Sequence, residues 1–275
     1  MTQAMQLLCS TGAFSRFPDQ TGYQAVLEYG PLLEVDGFEL MFYPNWYGQI
    51  EQIAHDLKCS SLAFPAMHAD KNIGIVLGKP EEEQRAMGIR WLEENCQLAR
   101  RIGVRVMVLH LWGWPELDDD LERNLESLSA CLDVTTRHDI ELAIETIPCR
   151  RADPLSNIMA ALECDNRSQV ALDTEFLSDH SQLGEVFQQE RLWREQRVRH
   201  VHIKDANGQR FGPDGKRLYL HPGEGQIDFA SFFASLKELS FVGNISLEAP
   251  AIAQDGDVRV KQLRTSLDFL RRLMA

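Results

Sequence analysis

No stretch of the 275 residues approaches the roughly 20 consecutive apolar residues of a membrane-spanning helix, which excludes that architecture. The opening residues 1–6 lack the basic segment and apolar run of a secretory signal, so a cytoplasmic location is expected. Paired cysteines are missing too. Cys9, Cys59, Cys96, Cys131, Cys149 and Cys164 are scattered with no CxxC, and they read as reduced thiols rather than disulfides or a zinc–thiolate site. Cys149 follows Glu145 closely, but no evident histidine partner marks it as a nucleophile. Positive charge is scarce. The formal net charge of −13 repels a polyanion, and Arg100-Arg101 and Arg271-Arg272 read as solvated helix faces. Nucleic acid is therefore not an expected partner. No GxGxxG follows the first strand, which argues against a dinucleotide fold, and no glycine-rich phosphate cradle is present, which points to an unphosphorylated ligand.

What the sequence does contain is regular alternation. Short β-branched and apolar runs lie at 5–9, 37–42, 61–65, 105–110, 141–146, 169–172, 199–203 and 244–247. Amphipathic segments follow them at 24–34, 49–58, 80–102, 117–138, from about 153, 182–194, 229–239 and 258–274. Pro80 followed by three glutamates, and Asp153 followed by Pro154, are helix-start signals. Eight strand–helix units without a Pro/Gly/Ser linker predict an α/β fold, a single-domain (β/α)8 barrel over 1–275. The apolar share of 44% is enough for its core. The segment 206–227 holds five glycines and reads as a functional loop over one barrel face.

In such a barrel, chemistry sits at the C-terminal strand ends. Polar residues there are His68, His110, Glu145, Asp173, His200, His202 and Glu248. Glu145, Asp173 and Glu248 each follow an apolar run directly, where an unpaired carboxylate would be costly. Carboxylates converging on one point repel one another unless a cation lies between them. Oxygens with an imidazole suit manganese, magnesium, cobalt or zinc. The plain alternative for His110 is a hydrogen-bonded wall residue. His200 shares a strand face with His202 and either orients it or meets a ligand. Trp112 and Trp114 offer aromatic faces suited to sugar C–H surfaces, although tryptophans also cap barrel mouths structurally.

The ordered set Leu142-Ala143-Ile144-Glu145, Ala171-Leu172-Asp173, His200-Val201-His202-Ile203-Lys204-Asp205, Pro222-Gly223-Glu224-Gly225 and Ser246-Leu247-Glu248 resembles the xylose-isomerase-like barrel superfamily. The resemblance is to its sugar phosphate isomerase/epimerase branch, with ketose 3-epimerases, hydroxypyruvate isomerases and inosose dehydratases. It implies metal ligation by Glu145, Asp173, His202 and Glu248, with Glu145 and Glu248 also the acid/base pair. The implied reaction is proton transfer through a metal-stabilised enediolate of a sugar or related polyol ketone. Lys204 and Glu224 would support it, and a homodimer or homotetramer is the family-level expectation.

Two departures stand out. The histidine expected three residues after the aspartate is Phe176, and the substrate arginine expected six after the metal histidine is Gly208, with Arg210 close but out of register. His68, His110, Trp112, His200, Lys204, Arg210 and Glu224 remain the candidate substrate contacts. Three other readings stay open. They are a dehydratase of the inosose-dehydratase type, a non-catalytic metabolite-binding barrel, and an apurinic endonuclease relative, the last opposed by Phe176 and the acidic charge.

Overall fold

The computed structural model describes residues 5–15, 22–113, 117–213, 215–253 and 256–275; Trp114 lies outside them. Eight parallel strands close into one barrel in sequence order. They are β1 (Gln6–Ser10), β2 (Gly37–Met41), β3 (Ala66–His68), β4 (Val106–Leu109), β5 (Glu141–Glu145), β6 (Gln169–Asp173), β7 (Val198–Ile203) and β8 (Asn244–Leu247). β1 pairs with both β2 and β8, which closes the ring and leaves no strand edge. The helices are α1 (Gly22–Tyr29), α2 (Ile50–Cys59), α3 (Asn72–Leu77), α4 (Glu82–Ile102), α5 (Leu121–Arg137), α6 (Pro154–Cys164), α7 (Thr174–Asp179), α8 (Glu190–Arg194), α9 (Phe229–Glu238) and α10 (Val260–Met274). No helix among the described residues is long and apolar enough to cross a membrane.

Local chemistry explains the main boundaries. Asp153 caps α6 by accepting from the Ser156 amide, and Pro154 opens its first turn. α4 stops at Gly103, which takes the left-handed conformation with φ 88°. α10 buries Leu263, Ser266, Leu267 and Leu270, an i, i+3, i+4, i+7 stripe facing the sheet. Alternation along the strands then sorts residues to two faces. Leu142, Ile144, Val201 and Ile203 join the large apolar layer under the helices. Val106, Val108, Ala143 and Ala171 form a separate small cluster. These four lie inside the barrel, below the inward positions at its mouth.

Two segments differ from the sequence expectation. The third strand runs over Ala66–His68, not 61–65. Ala63 O already accepts from Phe38 N at 2.8 Å, but Pro65 has no N–H to give, so the regular ladder starts after it. The expected helix over 182–194 is a single 3-10 turn, Glu185–Gln188, and the short α8. Gln189, with ψ 81°, leaves helical space between them. Two short helices, α3 and α7, lie in what the sequence offered as loops.

A buried acid–histidine cluster at the barrel mouth

The inward positions at the C-terminal ends of β3 to β8 carry His68, His110, Glu145, Asp173, His202, Lys204 and Glu248, each no more than 4% exposed. A shift of register between β6 and β7 sets their alignment. Val170 faces Val198, yet Ala171 faces His200 and Asp173 faces His202, so Arg199 is the extra residue. That single bulge brings both β7 histidines level with the carboxylates of neighbouring strands.

His202 is the centre of the cluster. Its Nδ1 lies 2.7 Å from Glu145 Oε1 and 3.8 Å from Glu248 Oε2, and its Nε2 lies 2.7 Å from Glu39 Oε1. Burial alone would lower its pKa, but Glu39, Glu145 and Glu248 together hold it well above the ordinary histidine value. Burial would raise Glu39 and Glu145. His202 with His200 holds the first well below the carboxylate range, and His202 with His110 does the same for the second. Glu39 Oε2 also accepts from the Ser246 hydroxyl at 2.8 Å. Glu145 Oε2 lies 2.7 Å from His110 Nε2 and 3.2 Å from His68 Nε2. The Ala69 carbonyl 2.7 Å from His68 Nδ1 can only accept, so that nitrogen carries a proton. Burial pushes His110 down to about 4 against the pull of Glu145.

Lys204 stands on the opposite side of the cluster. Its ammonium lies 2.7 Å from Asp173 Oδ2 and 2.5 Å from Glu248 Oε2, with the Phe176 ring 4.6 Å below. Burial would raise Glu248, but Lys204 and His202 outweigh it and hold this carboxylate low. Asp173 goes the other way. Burial, aided by Glu145, Glu248 and Glu175, lifts it to about 7 in spite of Lys204. Asp173 Oδ1 caps α7 by accepting from the Phe176 amide at 3.0 Å, whereas Oδ2 is buried without a directed hydrogen bond.

One ligand atom each from Glu145, Asp173, His202 and Glu248 can be chosen so that all lie within 4.8 Å of one another. Three carboxylates and one imidazole, with an Asp173 oxygen that makes no directed hydrogen bond, fit a divalent cation. His202 would ligate through Nδ1 while Glu39 holds its other nitrogen.

The other candidates divide. His68 and His110 both reach Glu145, and His200 lies beneath His202, its Nε2 3.5 Å from Glu39 Oε1. Trp112 is fully buried and donates its indole N–H to Pro148 O at 3.1 Å, a wall contact. Arg210 pairs with Asp179 at 2.6 Å, and exposed Glu224 accepts from the His221 amide at 2.9 Å; neither lines the cavity above the cluster.

That cavity, of about 60 Å³, is bounded by Lys71, His110, Glu145, Phe176, Lys204, Arg217, Tyr219 and Glu248. A neighbouring cavity of about 200 Å³, lined by Met41, Phe42, Tyr43 and Asp70 among others, shares Lys71 with it. A larger one of about 620 Å³ opens at the opposite end of the barrel around Gln6, Arg105, Glu141 and Asn244, away from the carboxylates.

Glu39, Lys71, Arg217, Tyr219 and Ser246 were not singled out by the sequence. Glu39 did leave a trace, as a lone acid inside the apolar run Gly37–Met41. Arg217 and Tyr219 arrive on the segment after β7, folded back by bridges between Asp205 and Leu220 and between Phe211 and Arg217. Arg217 donates to the carbonyls of Arg210 and Leu218, pairs with Glu175, and sits 5.0 Å from the Tyr219 ring. The base of this segment is tied to Asp205, whose carboxylate accepts from the amides of Ala206, Gly223, Gly225 and Ile227 at 2.8–3.1 Å. Glycine is required at 225, where a Cβ would come within 2.4 Å of Asp205 Oδ1.

A closed barrel with an acid–histidine cluster at its C-terminal mouth defines a recognisable class. The family model described as Xylose isomerase-like TIM barrel matches residues 24–273, and the chain belongs to that family. Searched against curated protein sequences, the chain has no match. Among solved structures, D-allulose 3-epimerase from Methylomonas sp., in complex with D-allulose, is similar at 15% identity and TM-score 0.76, covering 98% of this chain and 97% of that one. D-psicose 3-epimerase from Clostridium cellulolyticum H10, solved with D-tagatose, is also 15% identical with TM-score 0.76, covering 98% and 99%. The 3-keto-D-glucoside 4-epimerase of E. coli is 21% identical with TM-score 0.68, covering 98% and 99%. At these identities the likeness is one of fold.

Proposed function

We propose that the protein is a divalent-metal-dependent epimerase or isomerase of a sugar or related polyol ketone. The observation that carries this reading is the convergence of the Glu145, Asp173, His202 and Glu248 donor atoms within 4.8 Å at the barrel mouth. A divalent ion held by these four, manganese, magnesium, cobalt or zinc, supplies Lewis-acid stabilisation of the negative charge that develops on a carbonyl oxygen. The named structural neighbours act on ketoses and keto-sugars, which agrees with the reading.

The chain's own groups then divide the work. Glu145 enters from β5 and Glu248 from beyond β8, three strands apart in the ring, so they approach a substrate from different sides. Glu145, kept ionised by His202 and His110, takes the proton from the carbon beside the carbonyl. Glu248 stands on the other side as the second carboxylate: it takes a proton from water and passes it to the carbon, while Glu145 gives its own back to solvent, so the cycle closes. A proton returned from that side inverts the carbon. His110 and Lys204 line the cavity and contact substrate oxygens, whereas Arg217 and Tyr219 take the place offered in sequence by Arg210. Phe176 floors the cavity with an apolar ring where a polar substrate contact was expected. The shared Lys71 lets a substrate extend from the small cavity into its neighbour.

Glu248 giving its proton to a departing hydroxyl instead would make a dehydratase. The test separates the two. Metal-stripped protein reloaded with Mn2+ is incubated with ketoses, hydroxypyruvate and an inosose, and the products are resolved by chromatography. An epimer or isomer of constant mass is expected. Loss of water with no isomer would assign the lyase reaction, and no conversion of any compound by the Mn2+-loaded protein would refute the sugar reading.

A further inference from the structure

Two of the carboxylates that could hold a divalent cation are already in contact with a cation that belongs to the chain. We propose that Lys204 is the resident counter-ion of the cluster, competing with the divalent ion for Asp173 and Glu248 and thereby setting how tightly that ion binds. The inference rests on the metal reading given above.

Three observations support it. Lys204 is 4% exposed, and a buried ammonium is tolerated only when paired. Its two carboxylate contacts, at 2.7 and 2.5 Å, are to Asp173 and Glu248, two members of the four-residue set. The Asp173 contact is an ion pair at 2.7 Å without a directed hydrogen bond, the kind of contact that a better-placed cation can replace.

The backbone keeps the side chain there. Lys204 follows His202 by two residues and so shares its inward face. Its amide donates to Thr174 Oγ1 at 3.1 Å, and the same hydroxyl donates to the Lys204 carbonyl at 2.6 Å. This clasp fixes Lys204 to the start of α7, immediately after Asp173. The ring of Phe176 supports the ammonium from below. Here the ammonium is sunk among the acids, where it screens their repulsion until a divalent ion takes over.

The test compares wild type with Lys204→Met and Lys204→Gln, first stripped of metal and then titrated with Mn2+. Removing the ammonium leaves the carboxylates unscreened, so the metal-free variants melt at lower temperature. The same change removes the competitor, so Mn2+ binds about tenfold or more tightly and raises the melting temperature by more than in wild type. Equal or weaker Mn2+ affinity in folded variants would overturn the proposal. Should neither variant fold, the wild type still decides by 15N-lysine NMR with diamagnetic Zn2+. Displacement of one slowly exchanging ammonium signal on titration is expected, and a signal that ignores the ion overturns the idea. Binding and stability are read without turnover, so an enzyme that binds Mn2+ yet converts no sugar would sink the functional reading and leave this one standing.

Discussion

Replacing Glu39 by glutamine removes one charge from beneath the cluster and changes little else. Glu39 is fully buried, with Oε1 2.7 Å from His202 Nε2 and Oε2 accepting from Ser246. A glutamine has the same shape, its carbonyl can still accept from His202, and the Ser246 hydroxyl can turn to accept from its amide. The difference is therefore mainly electrostatic. At an effective dielectric of about 20, two charges about 4 Å apart interact by about 4 kcal/mol, which sets an upper bound. Outer-shell partners of metal-binding histidines typically contribute about 10–100-fold in affinity, or about 1.4–2.7 kcal/mol. A loss of that size is expected for Mn2+ binding to Glu39→Gln, read by calorimetric titration of stripped protein. The titration is run on the alkaline side of neutrality, where the His202 proton competes less. An unchanged affinity in a folded variant would refute the argument that Glu39 orients and polarises His202 for a metal.

Asp205→Ala leaves the amides of Ala206, Gly223, Gly225 and Ile227 without their acceptor; a loss of about 3 kcal/mol is expected in urea unfolding, with Asp205→Asn intermediate. Arg217→Ala should raise KM while leaving Mn2+ affinity intact, because the guanidinium lines the cavity without touching the four-residue set; weaker Mn2+ binding would contradict this. His202 has a raised pKa in the fold, so its contribution to stability is fully present below the ordinary histidine value and is lost as pH rises through the folded one. A metal must displace that proton, so Mn2+ affinity should climb with protons released as pH rises from the ordinary histidine value towards the raised folded one, and a flat profile would count against ligation through His202 Nδ1.

The barrel was legible because strand and helix periods alternate cleanly and because apolar runs end in isolated acids. Glu145, Asp173 and Glu248 each announce themselves as a carboxylate placed where an apolar residue would continue the strand. Glu39 follows the same logic, yet it sits in mid-strand, and only barrel closure brings β7 histidines across to it. The bulge at Arg199 that levels His200 and His202 with their partners has no signature in residue type. Nor does spacing say which arginine of the 206–227 loop turns inward. Arg210 is drawn off by Asp179, and Arg217 is carried over the cavity by a fold-back that depends on Asp205. The third strand was displaced by Pro65, whose apolar neighbours made 61–65 look like ladder. Lys204 is a candidate substrate contact in the sequence, and its burial among the acids was not legible because lysines so seldom lie fully buried; its surroundings come from three strands and α7 together.

The central claim is proton transfer at a carbon beside a carbonyl by Glu145 and Glu248, and deuterium reads it directly. Mn2+-loaded protein is held in D2O with ketoses, hydroxypyruvate and an inosose while the α-carbon protons are followed by NMR. Wash-in of deuterium on a compound, lost in both Glu145→Gln and Glu248→Gln, is the result the account predicts. Exchange that survives in both variants, or no exchange on any compound with the metal bound, would contradict it.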